Sequence, residues 1–129
     1  MRMQDYYNDL MKRFTQDRDD FRDKIHGFFD QKVYLIREDP RYETAQFDLW
    51  IMSRDDQDIH DLFAKSYNIW RKRISECIKG ELPNITDEMS NLYAGIIVSM
   101  QVGGSFQFLS NPDSFDLDAY FETCLDMVM

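Results

Sequence analysis

Apolar side chains recur along this chain at steps of three and four residues, with polar positions between them. This spacing is that of one face of an α-helix, and no stretch shows the strict alternation of a β-strand. Breaks fall at Pro40, at Gly80 and at the Asn111–Asp113 turn, where proline and glycine disfavour helix. The pattern predicts one all-α domain over residues 1–129, a six-helix bundle with helices at about 3–14, 17–38, 41–53, 56–79, 86–109 and 116–128.

The last third of the chain carries the most continuous apolar surface. From Thr86 to Ser110 apolar residues surround much of the helix, and a helix of this kind has to be covered on more than one side. Thr86 is predicted to cap this helix, and Asp116 is predicted to cap a second amphipathic helix that follows. We expect a two-fold homodimer in which these last two helices and their copies form a four-helix-bundle interface. The predicted contact residues are Ile97, Gly104, Phe108, Tyr120, Phe121, Cys124 and Val128.

An alternative for this region is that Phe121 and its neighbours pack only inside their own subunit. Two adjacent glycines, Gly103 and Gly104, bear on the packing because each costs about 1 kcal/mol relative to alanine inside a helix. The pair predicts the close approach of another helix, and less simply that of a ligand.

Composition narrows the class of protein. Hydrophobic residues make up 43% of the chain and aromatic residues 15%, which argues against disorder. The net charge of −9 opposes binding to nucleic acid by this chain alone. No uninterrupted apolar run reaches the eighteen or so residues of a membrane span, and no signal peptide precedes the first helix, so we expect a cytoplasmic protein without membrane contact. Cys77 and Cys124 belong to no metal or redox motif and are expected to be free thiols.

Candidate chemistry is sparse. His60 lies among acidic residues, and Asp56, four positions earlier, could share a helical face with it as a metal site. Acidic residues at a connection and a helix start explain the same pattern more simply. No nucleophile motif or phosphate-binding loop is present. We therefore expect no catalytic residue, no metal and no cofactor, and the chain is predicted not to be an enzyme.

Aromatic residues on the inward faces exceed what a plain helical core requires. Clefts lined by aromatic side chains with a few polar groups are typical of small-molecule sites, although aromatic stripes at helical spacing are also ordinary core. We predict a ligand pocket lined by Phe29, Phe47, Trp50, Phe63, Tyr67, Trp70, Tyr93 and Met100.

Two segments resemble one protein family. The run FDLWIMSRDDQDIHDLFAKSYNIWRKRISECIKG, from Phe47 to Gly80, is similar to the middle of TetR-type transcriptional regulators. The run LYAGIIVSMQVGGSFQFLSNPDSFDLDAYFETCLDMV resembles the last two helices of that family, including the Pro–Asp turn. The six predicted helices would correspond to the family's fourth to ninth helices.

The resemblance implies the effector-binding and dimerisation domain of a bacterial repressor. A small apolar or aromatic ligand, cations included, would relieve DNA binding by shifting the first helix, at about 3–14. The family's DNA-binding helix-turn-helix has no counterpart in this chain, so DNA would be bound only through an N-terminal domain that is absent here. Two other classes stay open, a homodimeric protein-interaction module with no DNA role and, ranked last, a small all-α enzyme.

Overall fold

A computed structural model describes residues 20–129 of the chain, and this part is all-helical. The predicted all-α class is therefore confirmed for these residues. The predicted first helix, at about 3–14, lies outside the described residues, as do the first positions of the second. The described helices are α1 (Phe21–Glu38), α2 (Pro40–Met52), α3 (Gln57–Glu81), α4 (Asp87–Ser110) and α5 (Leu117–Val128), with a 3₁₀ turn at Pro112–Ser114 before α5.

Side-chain caps explain where the helices begin. An oxygen of each cap accepts a hydrogen bond from a backbone N–H of the first turn, which stabilises a helix by about 1 kcal/mol. Thr86 accepts from Met89 and Asp116 from Ala119, as the sequence predicted. The remaining caps are Asp20 on α1, Asp39 on α2 and Asp56 on α3.

Two predicted helix boundaries differ from the structure. Pro40 does not merely end α1; it is the first residue of α2, where its missing N–H is not needed. Helix α3 continues through Gly80 to Glu81, and Leu82 is its C-cap. Gly80 keeps a negative φ, so it does not adopt the left-handed conformation by which glycine ends a helix. The prediction that Gly80 stops the helix was wrong.

Helix α4 lies at the centre of the described fold. It packs along α3 and also contacts α1 and α5. The shared core contains Phe29, Ile74, Ile97 and Leu125, all buried. Because α4 is covered by three helices, most of the internal contacts depend on its position.

The contact between α4 and α5 is especially close at one glycine. A Cβ atom on Gly104 would lie 2.7 Å from Tyr120 Cε1 and 2.9 Å from Phe121 Cζ. On Gly103 the nearest atom would be the Tyr120 hydroxyl oxygen, 3.9 Å away. The predicted close approach of another helix is thus confirmed at Gly104, and the helix is α5 of the same chain.

Only part of the apolar surface of α4 is covered by this fold. Among the described helices, α4 is long and apolar enough by length and composition to cross a membrane, with a mean hydropathy of 1.3 in its most apolar window. Only 33% of that window is buried. Its polar residues Ser90, Gln101 and Ser105 are fully buried against other helices, which is how an inner helix of a bundle is packed. The rest of its surface faces outward.

Candidate functional site

The uncovered face of α4 forms an open groove with α3 and α5. The groove has a volume of about 800 Å³. Its lining is apolar along the floor, and its polar residues include Arg71 and Glu88. Leu92 and Ile96 in this groove are 57% and 47% exposed, which is high for large aliphatic side chains. The lining residues are Arg71, Glu88, Asn91, Leu92, Gly95, Ile96, Ser99, Met100 and Tyr120.

Two small residues of α4 line this groove. Gly95 and Ser99 are four positions apart on α4 and both line it. A Cβ on Gly95 would meet no atom closer than the Arg71 Cδ at 3.9 Å, so the position is not filled by the chain itself. Small side chains four apart let the backbone of a second helix approach closely. The face therefore combines exposed aliphatic side chains with room for another helix.

The residues predicted for the dimer interface separate into two groups. Ile97, Gly104, Phe121 and Cys124 are buried by the chain itself, so a partner does not reach them in this conformation. Phe108, Tyr120 and Val128 are only partly buried. The homodimer stays a prediction, and the exposed aliphatic side chains of α4 include Leu92 and Ile96, which are not among the predicted contacts. The sequence showed that α4 is apolar all round; it did not show which side its own subunit covers.

Four of the residues predicted for the ligand pocket form a continuous aromatic column between α2 and α3. Ring centroids lie 5.5 Å apart for Trp50 and Phe63, 4.8 Å for Phe63 and Tyr67, and 5.4 Å for Tyr67 and Trp70. Trp50 is 55% exposed at the outer end, and Trp70 is buried at the inner end. The column thus leads from solvent to the core.

The other predicted pocket residues lie elsewhere. Phe47 packs edge-on against Phe106 at 5.0 Å. Phe29 stacks on Phe121 at 5.2 Å in the core. Tyr93 is exposed, and Met100 lines the α4 groove. Ring contacts thus join four of the eight predicted residues in the column. The ligand pocket itself stays a prediction.

A buried charged cluster closes the inner end of the aromatic column. Lys32 Nζ lies 2.9 Å from Glu43 Oε2 and donates to Oε1 at 3.1 Å, and both side chains are almost fully buried. The Ser105 hydroxyl donates to Glu43 Oε2 at 3.0 Å. The Lys32 ammonium group also lies over the Trp70 ring, 5.0 Å from its centroid. The cluster joins α1, α2, α3 and α4 at one point.

The negative charge of Glu43 in this cluster also affects a tyrosine of the aromatic column. The pKa of Tyr67 is raised, first by burial and then by the negative charge of Glu43. The sequence analysis missed this cluster. A signal was present, because Lys32 stands in helical register with Phe29 and Ile36 on the inward face of α1. A charged residue at an inward position predicts a buried partner.

A second polar contact lies between α1 and α4. Gln101 Nε2 donates to the backbone oxygen of Phe28 at 2.8 Å. Gln31 is fully buried, yet neither polar atom of its amide has a hydrogen-bond partner. A buried unpartnered amide destabilises a fold by about 1–3 kcal/mol.

No group of three metal-binding side chains occurs within residues 20–129. Asp56, the candidate partner of His60, instead accepts hydrogen bonds from the backbone N–H groups of Asp58 and Ile59. His60 Nδ1 is 3.6 Å from Asp61. These contacts match the simpler explanation by helix capping.

Both cysteines are free thiols, and burial raises the pKa of each. A raised pKa keeps a thiol protonated and weakly nucleophilic. Tyr120, whose pKa is raised to about 12 by burial and by its hydrogen bond with Cys124, donates its hydroxyl to the Met100 backbone oxygen at 3.2 Å. The two cysteines and Tyr120 pack in or against the hydrophobic core of the described region.

The described residues define a helical-bundle domain with two distinct surfaces, the open α4 groove and the aromatic column that ends at a buried ion pair. Comparison with protein-family models, with curated proteins and with solved structures found no match to this chain.

Proposed function

We propose that this chain is the effector-binding and dimerisation domain of a TetR-type transcriptional regulator. The observation that carries the dimerisation half of the proposal is the open face of α4. A helix whose most apolar window is only 33% buried in the described structure has apolar surface left for a partner. The two segments that resemble the family supply the remaining support.

The chemistry of this surface suits a second copy of the chain. The groove contains a cation, Arg71, and an anion, Glu88, beside its aliphatic floor, so it is complementary to a copy of itself. A stable interface buries about 800 Å² on each partner. This is about a tenth of the 7993 Å² that the chain exposes. In a two-fold dimer the same patch serves both subunits, and α4 and α5 pair with their copies.

The effector half of the proposal is supported by the aromatic column. A ligand would enter at the exposed Trp50 and contact the ring faces as far as Tyr67. The column joins α2 to α3, and the charged cluster beside it joins α1 to α2 and α4. Ligand binding would therefore act on α1, which follows in the chain the helix predicted at about 3–14 that would carry the signal out of the domain. DNA binding is assigned to residues outside this chain, in agreement with the net charge of −9.

The dimer is tested by substituting Ile96 with glutamate. Ile96 is 47% exposed, so in a monomer the change is expected to alter stability by no more than about 0.5 kcal/mol. In a dimer it places a charge in the apolar contact and should shift the chain to monomer. Light scattering after size-exclusion chromatography at tens of micromolar measures the mass. Leu62→Glu, an equal change at an exposed aliphatic residue of α3 that does not line the groove, is the matched control.

The proposal predicts a mass near twice 15.5 kDa for the wild type and for Leu62→Glu, and a monomer for Ile96→Glu. A wild-type chain that is monomeric at this concentration contradicts the dimer. Gly104→Arg, in contrast, does not isolate the interface, because position 104 faces α5 of the same subunit.

A second candidate is a homodimeric protein-interaction module with no DNA role. It is favoured by further exposed apolar residues at the end of α2, where Ile51 and Met52 follow Trp50. The residues encoded ahead of Met1 separate the two candidates. About fifty residues with a helix-turn-helix pattern would support the regulator, and any other kind of domain there would favour the interaction module.

A further inference from the structure

We propose that Glu43 and the Trp70 ring form a binding site for a small organic ammonium ion, which the Lys32 ammonium group occupies in the unliganded chain. This inference names the ligand class of the effector site, and its biological meaning rests on the function proposed above. It is carried by the position of the Lys32 nitrogen, which meets a carboxylate on one side and an aromatic ring on the other.

The two contacts of Lys32 are those that hold alkylammonium ligands in proteins. A cation within about 6 Å of the centroid of an aromatic ring is attracted by the ring's electron-rich face, and tryptophan attracts it most strongly. The Lys32 nitrogen is 5.0 Å from the Trp70 centroid and 2.9 Å from Glu43 Oε2. The protein thus already holds a primary ammonium group in this arrangement, with the Lys32 side chain as its source.

Exchange of one ammonium ion for another avoids the main obstacle to placing a charge in a core. Glu43 is 1% exposed, and a buried carboxylate without a cation is strongly disfavoured. An entering ligand cation would compensate Glu43 as Lys32 withdraws, so the buried site keeps its charge balance. An anionic ligand would instead face Glu43, and a neutral ligand would leave Lys32 where it is.

The aromatic column lies between solvent and this site. Its outer ring, Trp50, is 55% exposed, and the ring of Phe63 follows before Tyr67. Beyond Tyr67 the next ring is Trp70, where Lys32 is bound. Because neighbouring rings are in contact, the column would have to open for a cation to enter from this side.

The exchange would change the contacts between helices selectively. Lys32 is on α1, and its ion pair with Glu43 joins α1 to α2. The hydrogen bond from Ser105 to Glu43 joins α4 to α2 and does not involve Lys32. A ligand cation would therefore release α1 from α2 while α2 stays tied to α4. Release of α1 is the kind of change that a sensor domain transmits.

The test uses the intrinsic fluorescence of the full chain, whose two tryptophans both lie in the column. Benzylammonium chloride is titrated at constant ionic strength, with benzyl alcohol as the uncharged control. We expect a saturable response to the cation at millimolar concentrations or below, and none to the alcohol. Lys32→Met removes the internal occupant, and binding should become about tenfold tighter or more. Lys65→Met, which removes an exposed lysine, should leave the affinity unchanged.

A further variant keeps the test decisive if Lys32→Met does not fold. The double variant Lys32→Met with Glu43→Gln removes both buried charges and leaves none uncompensated. It should fold and lose the response to the cation. An equal response to benzyl alcohol in the wild type, or unchanged cation affinity in the double variant, would overturn the proposal.

The two proposals fail in different ways. A wild-type dimer that does not bind the ammonium ion refutes only the ligand class. A monomer that binds it refutes the dimerisation domain and leaves the cation site in place.

Discussion

Substituting Gly104 with alanine tests the tightest contact between α4 and α5. The added Cβ would lie 2.7 Å from Tyr120 Cε1 and 2.9 Å from Phe121 Cζ, both closer than van der Waals contact. Neither ring moves away easily. The Tyr120 hydroxyl is held by the Met100 backbone oxygen, and Phe121 is buried and stacked on Phe29. The methyl group must therefore push α5 away from α4.

The expected loss of stability in Gly104→Ala follows from comparison with the same substitution at Gly103. Alanine stabilises a helix interior by about 1 kcal/mol relative to glycine, and this gain is common to both positions. Overpacking a well-packed core costs about 1–3 kcal/mol, and only position 104 incurs it. At Gly103 the nearest atom to a new Cβ is 3.9 Å away, an ordinary contact. Gly103→Ala should therefore be about 1 kcal/mol more stable than the wild type, and Gly104→Ala about 1–3 kcal/mol less stable than Gly103→Ala.

Urea denaturation followed by circular dichroism measures both free energies of unfolding. All chains are compared at one protein concentration, because self-association would add to the apparent stability. The difference between the two alanine variants isolates the packing cost, since the helix propensity cancels. If Gly104→Ala is as stable as Gly103→Ala or more so, the close approach of α5 at this point is wrong.

Three other changes have defined outcomes. Gln31→Met removes a buried amide without partners and should raise the free energy of unfolding by about 1 kcal/mol; an unchanged or lower value in urea denaturation would contradict this. Thr86→Ala removes the cap of α4 and should lower the free energy of unfolding by about 1 kcal/mol. An unchanged free energy of unfolding in the same assay would show that the cap is not needed. Burial raises the pKa of Cys124, and that of Tyr120 to about 12, so above pH 9 the folded chain binds more protons than the unfolded chain. Stability should then fall as the pH rises from about 9 towards 12, and Cys124→Ala should reduce the slope of thermal midpoint against pH.

The predicted helix caps, which depend on neighbouring residues in the sequence, are confirmed, whereas the predicted helix end at Gly80 is not. The caps at Thr86 and Asp116 depend on side chains that reach only three residues ahead. The glycine pair also indicated a close helix, because glycine in a helix interior needs a reason beyond propensity. Gly80 was misjudged because the helix continues past it to Glu81.

Features that depend on distant pairing could not be derived in this way. Lys32 and Glu43 are on different helices, and only the fold brings them together. Helical spacing draws attention to the aromatic residues, but it does not say whether their rings surround a cavity or stack on one another. Likewise, an apolar stripe does not distinguish burial in the same subunit, as for Phe121, from exposure, as for Leu92.

Helix α4 connects the two proposed activities physically. On its inner side Ser105 donates to Glu43, next to the proposed cation site, and on its outer side Ile96 belongs to the proposed dimer face. A ligand changes dimerisation only if it binds the two states with different affinity. If exchange at Glu43 shifts α4, then dimerisation must alter cation affinity by the same factor by which the cation alters dimerisation. If Ser105 keeps α4 fixed, the two equilibria are independent and the signal passes through α1 alone. Cation titrations of the wild type and of Ile96→Glu therefore distinguish the two routes, because equal affinities require the route through α1.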